Sequence, residues 1–527
     1  MKKFQTRFRL TKTGLEFFLD HVNSKQSGQL LAFLAALLAF VVYWLTLTHT
    51  ITWRHNGADS GDLVTAAFVY GIPHPPGYPL YTLIAFFFAR NPFVEPAHGV
   101  AIFSALMASA SVFVLARAGA AVKTSDVSET SEVLTAPLAA LTFAFSPLLW
   151  SQAIIPEVYA LNLFFVAVIL WACVTNHPRR VYIAALAFGL GMAHHLSILL
   201  LAPGAFLALQ LTRKNWRALI FLLAPLILYL YLPFAALPNP PVKWGDPITV
   251  ERFIWLVTAE QYRSYLFGVN SVEMLERFAF AARALLEQFT IVGVALIVWG
   301  AIQMALTRRR IFFATFLMFA PIAAYAIVYA SRDSFLYLLP AFAIALLWMV
   351  YGVLDVLDWA GDDRLLRGAA IALFALLPIY NLVTNYSEMD VSRDRAAFAY
   401  AKQNFEGLAE DAVLFADGDE ALFAVWYYRH AIIFQDARSV IVSQGLLQYD
   451  WYYDGLRRIM SEVQFASPDA VTDAHQRARE IMRVTFAEGR AVCFTDSSPL
   501  LPEFEYEERG VVKCVVAEKA SAAEKTP

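Results

Sequence analysis

Apolar residues run in long blocks over the first 390 or so positions and in short bursts after that. In a bilayer every backbone polar group must be bonded within the chain, so apolar runs of about 20 residues are read as helices. Eleven such runs predict spans at roughly 30–48, 98–119, 133–150, 157–176, 181–194, 196–212, 217–235, 281–306, 310–330, 335–354 and 367–385. The runs 181–194 and 196–212 are short and meet at His194-His195. A further stretch, 78–90, is apolar but brief and carries Pro79 near its start. Treated as a span it would invert every later loop, so it is expected to lie as an interfacial or re-entrant helix.

Beyond about residue 387 charged residues are frequent and apolar runs are short. Segments 412–416, 439–442, 491–494 and 511–516 read as strands, with helical patterns between the first three. That alternation predicts a small α/β domain with a partly parallel sheet. The expected organisation is a cytoplasmic segment 1–29, a membrane domain 30–386 with a large first outer loop 49–97, an outer domain 387–517 and a disordered tail 518–527.

Composition narrows the classes. The length of 527 residues would suit roughly three soluble domains. Hydrophobic residues make up 59% and charged residues only 16%, against about 25% charged in soluble chains. A disordered chain, a nucleic-acid binder and an ordinary cytosolic enzyme are all disfavoured, and the net charge of −3 offers no basic face for nucleic acid. With the N-terminus inside, the short inner loops hold more than twice as many Lys and Arg as the outer ones, which sets the orientation and puts the C-terminal domain outside. The first apolar run is read as an anchor, since no small-residue cleavage site follows it. The expected location is the plasma or inner membrane. Cys493 and Cys514 fall on two candidate strands, where they can bond or stay as two buried thiols.

Candidate chemistry gathers on the outer face. Asp59 and Asp62 stand three apart at the start of a short helical pattern, so their carboxylates share one side of it. Such a pair can act as a general base or bind a cation; alternatively Asp59 or Ser60 merely caps the helix. His74-Pro-Pro-Gly-Tyr78-Pro follows as a rigid corner, shaping the loop or meeting an acceptor. Glu157, the pair His194-His195, Lys243-Trp244-Gly-Asp246 and Arg332-Asp333 fall on the same face. Ionisable residues at membrane depth are costly and usually have partners or a task. Arg332, Lys243, His194 and His195 are the candidates for stabilising a phosphate; Trp244 joins the acceptor set. In the outer domain the turn Asp417-Gly-Asp419 follows the first strand, at the edge where open α/β sheets hold ligands. No cofactor is demanded, and a divalent metal at Asp59, Asp62 and Glu157 stays open. There is no Walker loop, HExxH or GxSxG.

The run Asp59-Ser-Gly-Asp-Leu…Gly71-Ile-Pro-His-Pro-Pro-Gly-Tyr-Pro-Leu-Tyr81 resembles the signature of a bacterial family related to a eukaryotic transmembrane protein O-mannosyltransferase. Supporting matches are Ser146-Pro-Leu-Leu-Trp-Ser…Glu157-Val-Tyr, His194-His195-Leu-Ser and Lys243-Trp-Gly-Asp-Pro. The resemblance spans about residues 30–460 and implies a branch of the GT-C glycosyltransferases. It implies an all-α polytopic membrane domain of about eleven spans with an outer α/β domain. It also implies transfer of a sugar, mannose among the options, from a polyprenyl-phosphate carrier to a hydroxyl on a protein or glycan. The essential acid of that family maps to Asp59, and Asp62 stands where a Glu is more usual. The alternatives are a transporter or flippase of lipid-linked saccharide and a non-catalytic, saccharide-binding envelope scaffold. A transporter should show internal repeats, which are not evident.

Overall fold

The computed structural model describes residues 24–122, 130–361, 363–434, 438–463, 465–466 and 471–519. The expected inner segment up to residue 23 and the tail from residue 520 lie outside the described residues.

Among the described residues, seven helices are long and apolar enough to cross a membrane. They are eight if Val133–Ala144 and Pro147–Ala153, bent by 70° at Ser146-Pro147, count as one span. The expected eleven are not reached. Tyr159–Val174, Arg180–Met192 and Leu196–Leu209 are apolar but shorter helices. They end early because the chain leaves helical geometry in the loop before Tyr159 and again at His195, which is extended. The expected interfacial stretch is the helix Pro79–Ala89, opened by proline in its first turn.

The helix Leu339–Trp359 lies in the most enclosed of the candidate spans and is buried along most of its length. Beside it runs Ser271–Thr307, whose outer start is fixed by a reciprocal cap between Asn270 and Glu273. The two helices touch through small residues: a Cβ on Gly300 would lie 1.8 Å from the Trp348 carbonyl oxygen. Close backbone contact of this kind is how helices pack where no hydrophobic effect drives them together.

Among its described residues the C-terminal domain holds five strands: β1 (Val413–Phe415), β2 (Val440–Val442), β3 (Val492–Phe494), β4 (Phe504–Arg509) and β5 (Val512–Glu518). Their order is β2-β1-β3-β5-β4. β1 lies parallel to β2 and β3, and β5 runs antiparallel to β3 and β4. Cys493 and Cys514 are register partners across β3 and β5 and are disulfide-bonded.

This domain shares one face of the bundle with the loops 49–97 and 236–280. Its helix Asp419–Tyr427 seats on the first-loop helix Ser60–Val69. A Cβ on Gly61 would lie 2.4 Å from the Phe423 carbonyl oxygen, so only glycine allows this approach. Trp53 Nε1–H donates to the Glu420 carbonyl at 3.0 Å, and the Tyr427 hydroxyl bonds Glu95. Gly61→Ala should therefore destabilise the protein by about 1–3 kcal/mol, the usual effect of overpacking, and expose the segment around residue 390 to protease. A variant with wild-type melting and proteolysis would contradict this seating.

Candidate active site

Asp59 ends the 3₁₀ turn Arg54–Asp59 and occupies the N-cap position of Ser60–Val69, yet its side chain makes no capping bond. Ser60 does not cap either; its hydroxyl donates to the Pro156 carbonyl at 3.1 Å. The capping explanation of the acidic pair therefore fails. The turn itself is strained, with His55 and Asn56 both at φ 60°, a region costly for residues other than glycine. It is held from outside by the Arg54 guanidinium, which donates to the carbonyls of Asp390 and Glu388.

Asp62, one turn on, is fully buried. Its Oδ2 accepts the His74 backbone N–H at 2.8 Å and the ring Nδ1–H at 2.7 Å, and its Oδ1 accepts the Trp244 indole N–H at 3.0 Å. Trp244 reaches this position because Ile72 and Lys243 form a parallel bridge between the two outer loops. The proline corner thus delivers His74 onto Asp62 and turns its Nε2 outward. Nε2 stands 3.8 Å from the Asp59 carboxylate and 3.3 Å from the Tyr78 hydroxyl. Asp62, His74 and Asp59 form a chain from a buried anchor to an accessible carboxylate.

The protonation of this chain follows from its surroundings. Asp59 keeps 38% of its side-chain surface accessible. Burial raises its carboxyl to about 7, opposed by His74 and helped by Asp419, Asp333 and Asp62. Burial alone would lower His74; Asp59 and Asp62 outweigh it and hold the imidazolium up to about 9. Burial also raises the Asp419 carboxyl, which senses both His74 and Asp62.

Other expected residues converge here. Glu157 is buried, and its Oε1 has no hydrogen-bond partner. His194 Nε2 donates to the Val158 carbonyl at 2.9 Å, and His195 Nδ1 accepts the Ser197 N–H at 3.1 Å. Both rings face Tyr78 about 6 Å away, centroid to centroid. The wall continues through Tyr337 to Asp333, which accepts from the Tyr159 hydroxyl at 3.4 Å. Arg332 beside it is exposed.

Two expected residues are otherwise engaged. The Lys243 ammonium is buried, paired with Asp246 at 2.7 Å and bonded to Asn239 at 2.7 Å. Asp417 accepts the Gly445 N–H at 3.0 Å and the Ser443 hydroxyl at 3.4 Å, tying the ends of β1 and β2 together. Among the described residues no group of three or more His, Cys, Asp or Glu side chains is arranged to hold a metal ion. Asp59, Asp62 and Glu157 make no such group, and both Asp62 oxygens already accept N–H donors.

Two residues absent from the sequence expectations matter. Arg277 donates to the Tyr329 carbonyl, the Ser334 hydroxyl and the Ser331 carbonyl, bracing the loop that carries Arg332. Tyr262 lies in the field of Asp59 and Asp419, and burial first, then those charges, raise its hydroxyl. An arginine on the outer extension of an apolar helix was the available signal for Arg277; nothing local marks Tyr262.

Comparison with known proteins finds similarities in both sequence and fold. Residues 59–219 match the family described as the protein O-mannosyl-transferase TMEM260 N-terminal domain, and residues 397–505 match TMEM260-associated domain 2. The chain is 27% identical over 469 residues to the Mus musculus protein O-mannosyl-transferase TMEM260, covering 80% of this chain and 64% of the mouse protein. It is 22% identical over 475 residues to the Dictyostelium discoideum protein of that name, covering 78% of this chain and 57% of the relative. The chain thus spans less than two thirds of the length of these relatives. Its fold resembles ArnT from Cupriavidus metallidurans bound to undecaprenyl phosphate, with a TM-score of 0.53 at 12% identity. That match covers 92% of this chain and 97% of ArnT. The apo form of ArnT gives a TM-score of 0.50 at the same coverage.

Proposed function

We infer that this chain, which carries both TMEM260-type domains on an ArnT-like GT-C fold, is a membrane glycosyltransferase. In this reading it moves a sugar, mannose first among candidates, from a polyprenyl-phosphate carrier to a hydroxyl of a protein or glycan on the extracytoplasmic face. The observation that carries the reading is the Asp62–His74–Asp59 chain, which ends in an accessible carboxylate that makes no capping bond. The Cys493–Cys514 bond supports an oxidising outer compartment for the same face.

The chemistry follows from the geometry. Asp59 accepts the acceptor hydroxyl proton as the oxygen attacks the anomeric carbon. The bond from that carbon to the phosphate oxygen breaks, and its electron pair leaves with the polyprenyl phosphate. In this reading Arg332, exposed on the loop braced by Arg277, neutralises that phosphate with its guanidinium. Asp62 fixes the His74 ring, and the His74 cation favours ionised Asp59 among the other acids. His194, His195 and Tyr78 shape the wall between base and phosphate. The outer domain, seated on the first loop with Asp419 towards the cluster, takes part in selecting the acceptor.

A pH profile tests the pairing. Below about 7 Asp59 is protonated and cannot accept a proton, so kcat/KM should rise through that value. Above about 9 His74 is neutral and no longer offsets the surrounding carboxylates, so the rate should fall. The two limbs belong to the coupled pair rather than to either residue alone. A profile flat across both values would contradict the assignment.

A further inference from the structure

Trp244, whose indole N–H is given to Asp62, also lines a separate cavity of about 550 Å³ between the outer domain, the second outer loop and the end of Ser60–Val69. That size falls in the range of small-ligand sites. Among the described residues, Arg90, Lys243, Arg429, Arg438 and Arg490 line it against a single acid, Glu462. Trp426 and Trp451 share the wall with Trp244. Within this lining Lys243 is paired with Asp246, and Arg490 with Glu462 at 3.1 Å, so the surplus charge rests on the remaining arginines.

Two buried polar groups on the wall are orphaned. Among the described residues, the Trp451 indole nitrogen and the Ser439 hydroxyl have no hydrogen-bond partner, in residues 7% and 3% exposed. Buried polar groups are nearly always satisfied, so a ligand that accepts from Trp451 and exchanges a bond with Ser439 accounts for both. Flat aromatic faces suit the apolar face of a pyranose ring. Surplus guanidinium suits a phosphate or carboxylate.

We propose that this cavity binds a saccharide carrying an anionic group. A neutral sugar leaves the arginines unanswered, and a bare anion leaves the tryptophan faces uncovered. The site is separate from Asp59, and its occupancy does not depend on the transferase reading.

Calorimetric titration of the full-length protein in detergent tests this, with glucose 6-phosphate, glucuronate, glucose and inorganic phosphate as probes. Saturable binding is expected for the two anionic sugars, with glucose and phosphate roughly tenfold weaker or more. Ser439→Ala should weaken sugar binding roughly 2- to 10-fold, and Arg438→Gln by roughly tenfold or more, both with unchanged melting. Asp59→Asn should bind as wild type, which separates this site from the transfer reaction. Absence of saturable binding by both anionic sugars would overturn the proposal, as would equal affinity in both cavity variants. Phosphate binding as tightly as glucose 6-phosphate would reduce the cavity to an anion site and overturn the saccharide assignment. Displacement of the sugars by anionic phospholipid in nanodiscs would assign it to a lipid headgroup instead.

Discussion

Asp59→Asn should lower glycosyl transfer by about 10²- to 10⁴-fold, the usual loss when a general base is removed, with no loss of melting temperature. The second half of that expectation comes from the structure. Asp59 makes no capping bond, and its nearest charged partner, His74 Nε2, stands 3.8 Å away, so the helix start does not rest on it. Its carboxyl is raised from 3.8 to about 7. A folded-state value above the unfolded one means that the ionised form costs stability at neutral pH. The neutral amide removes that cost, so the variant should melt at or slightly above the wild-type temperature when measured near pH 8. Full activity in Asp59→Asn would remove this residue from the reaction.

Asp62→Ala should fail in the opposite way, losing stability and activity together. The substitution strands the Trp244 indole N–H and the His74 backbone N–H inside the protein, each at roughly 1–3 kcal/mol. His74 then loses the anchor that turns Nε2 towards Asp59. Asp62→Asn should not rescue it, because its amide places an N–H₂ against one of those donors. Thermal melting and initial rates on the same preparations separate the two residues. An Asp62→Ala protein with wild-type melting would show that the buried carboxylate does not hold the loops together.

The parts of this arrangement legible in the sequence are those whose signals are local. The acidic pair, the proline corner and the short apolar helix Pro79–Ala89 lie within some 30 consecutive residues, where local spacing is enough to read them. Long apolar runs announced the long helices. What was not legible depends on distant partners. Trp244 finds Asp62 across 182 positions, and no pattern around either residue encodes that bond. Lys243 reads as a free cation until Asp246 and Asn239 are seen to hold it. The runs 157–176, 181–194 and 196–212 look like spans because composition says nothing of where the backbone turns. Strand β4 escaped notice because its sequence, Phe-Glu-Tyr-Glu-Glu-Arg, is charged. It is an edge strand with one largely exposed face, where such residues discourage pairing with other chains. The Cys493–Cys514 pair became decidable only from the register of β3 and β5.

The central claim is that this protein transfers a sugar from a lipid phosphate and does not merely bind or move it. The most direct measurement incubates the purified full-length protein with radiolabelled polyprenyl-phosphate mannose and a hydroxyl-bearing protein acceptor, and follows both products. The account predicts label on the acceptor and free polyprenyl phosphate in equal amounts, both absent with Asp59→Asn. Saturable binding of the donor by wild-type protein, with neither product formed from this or any other polyprenyl-phosphate sugar, would contradict it.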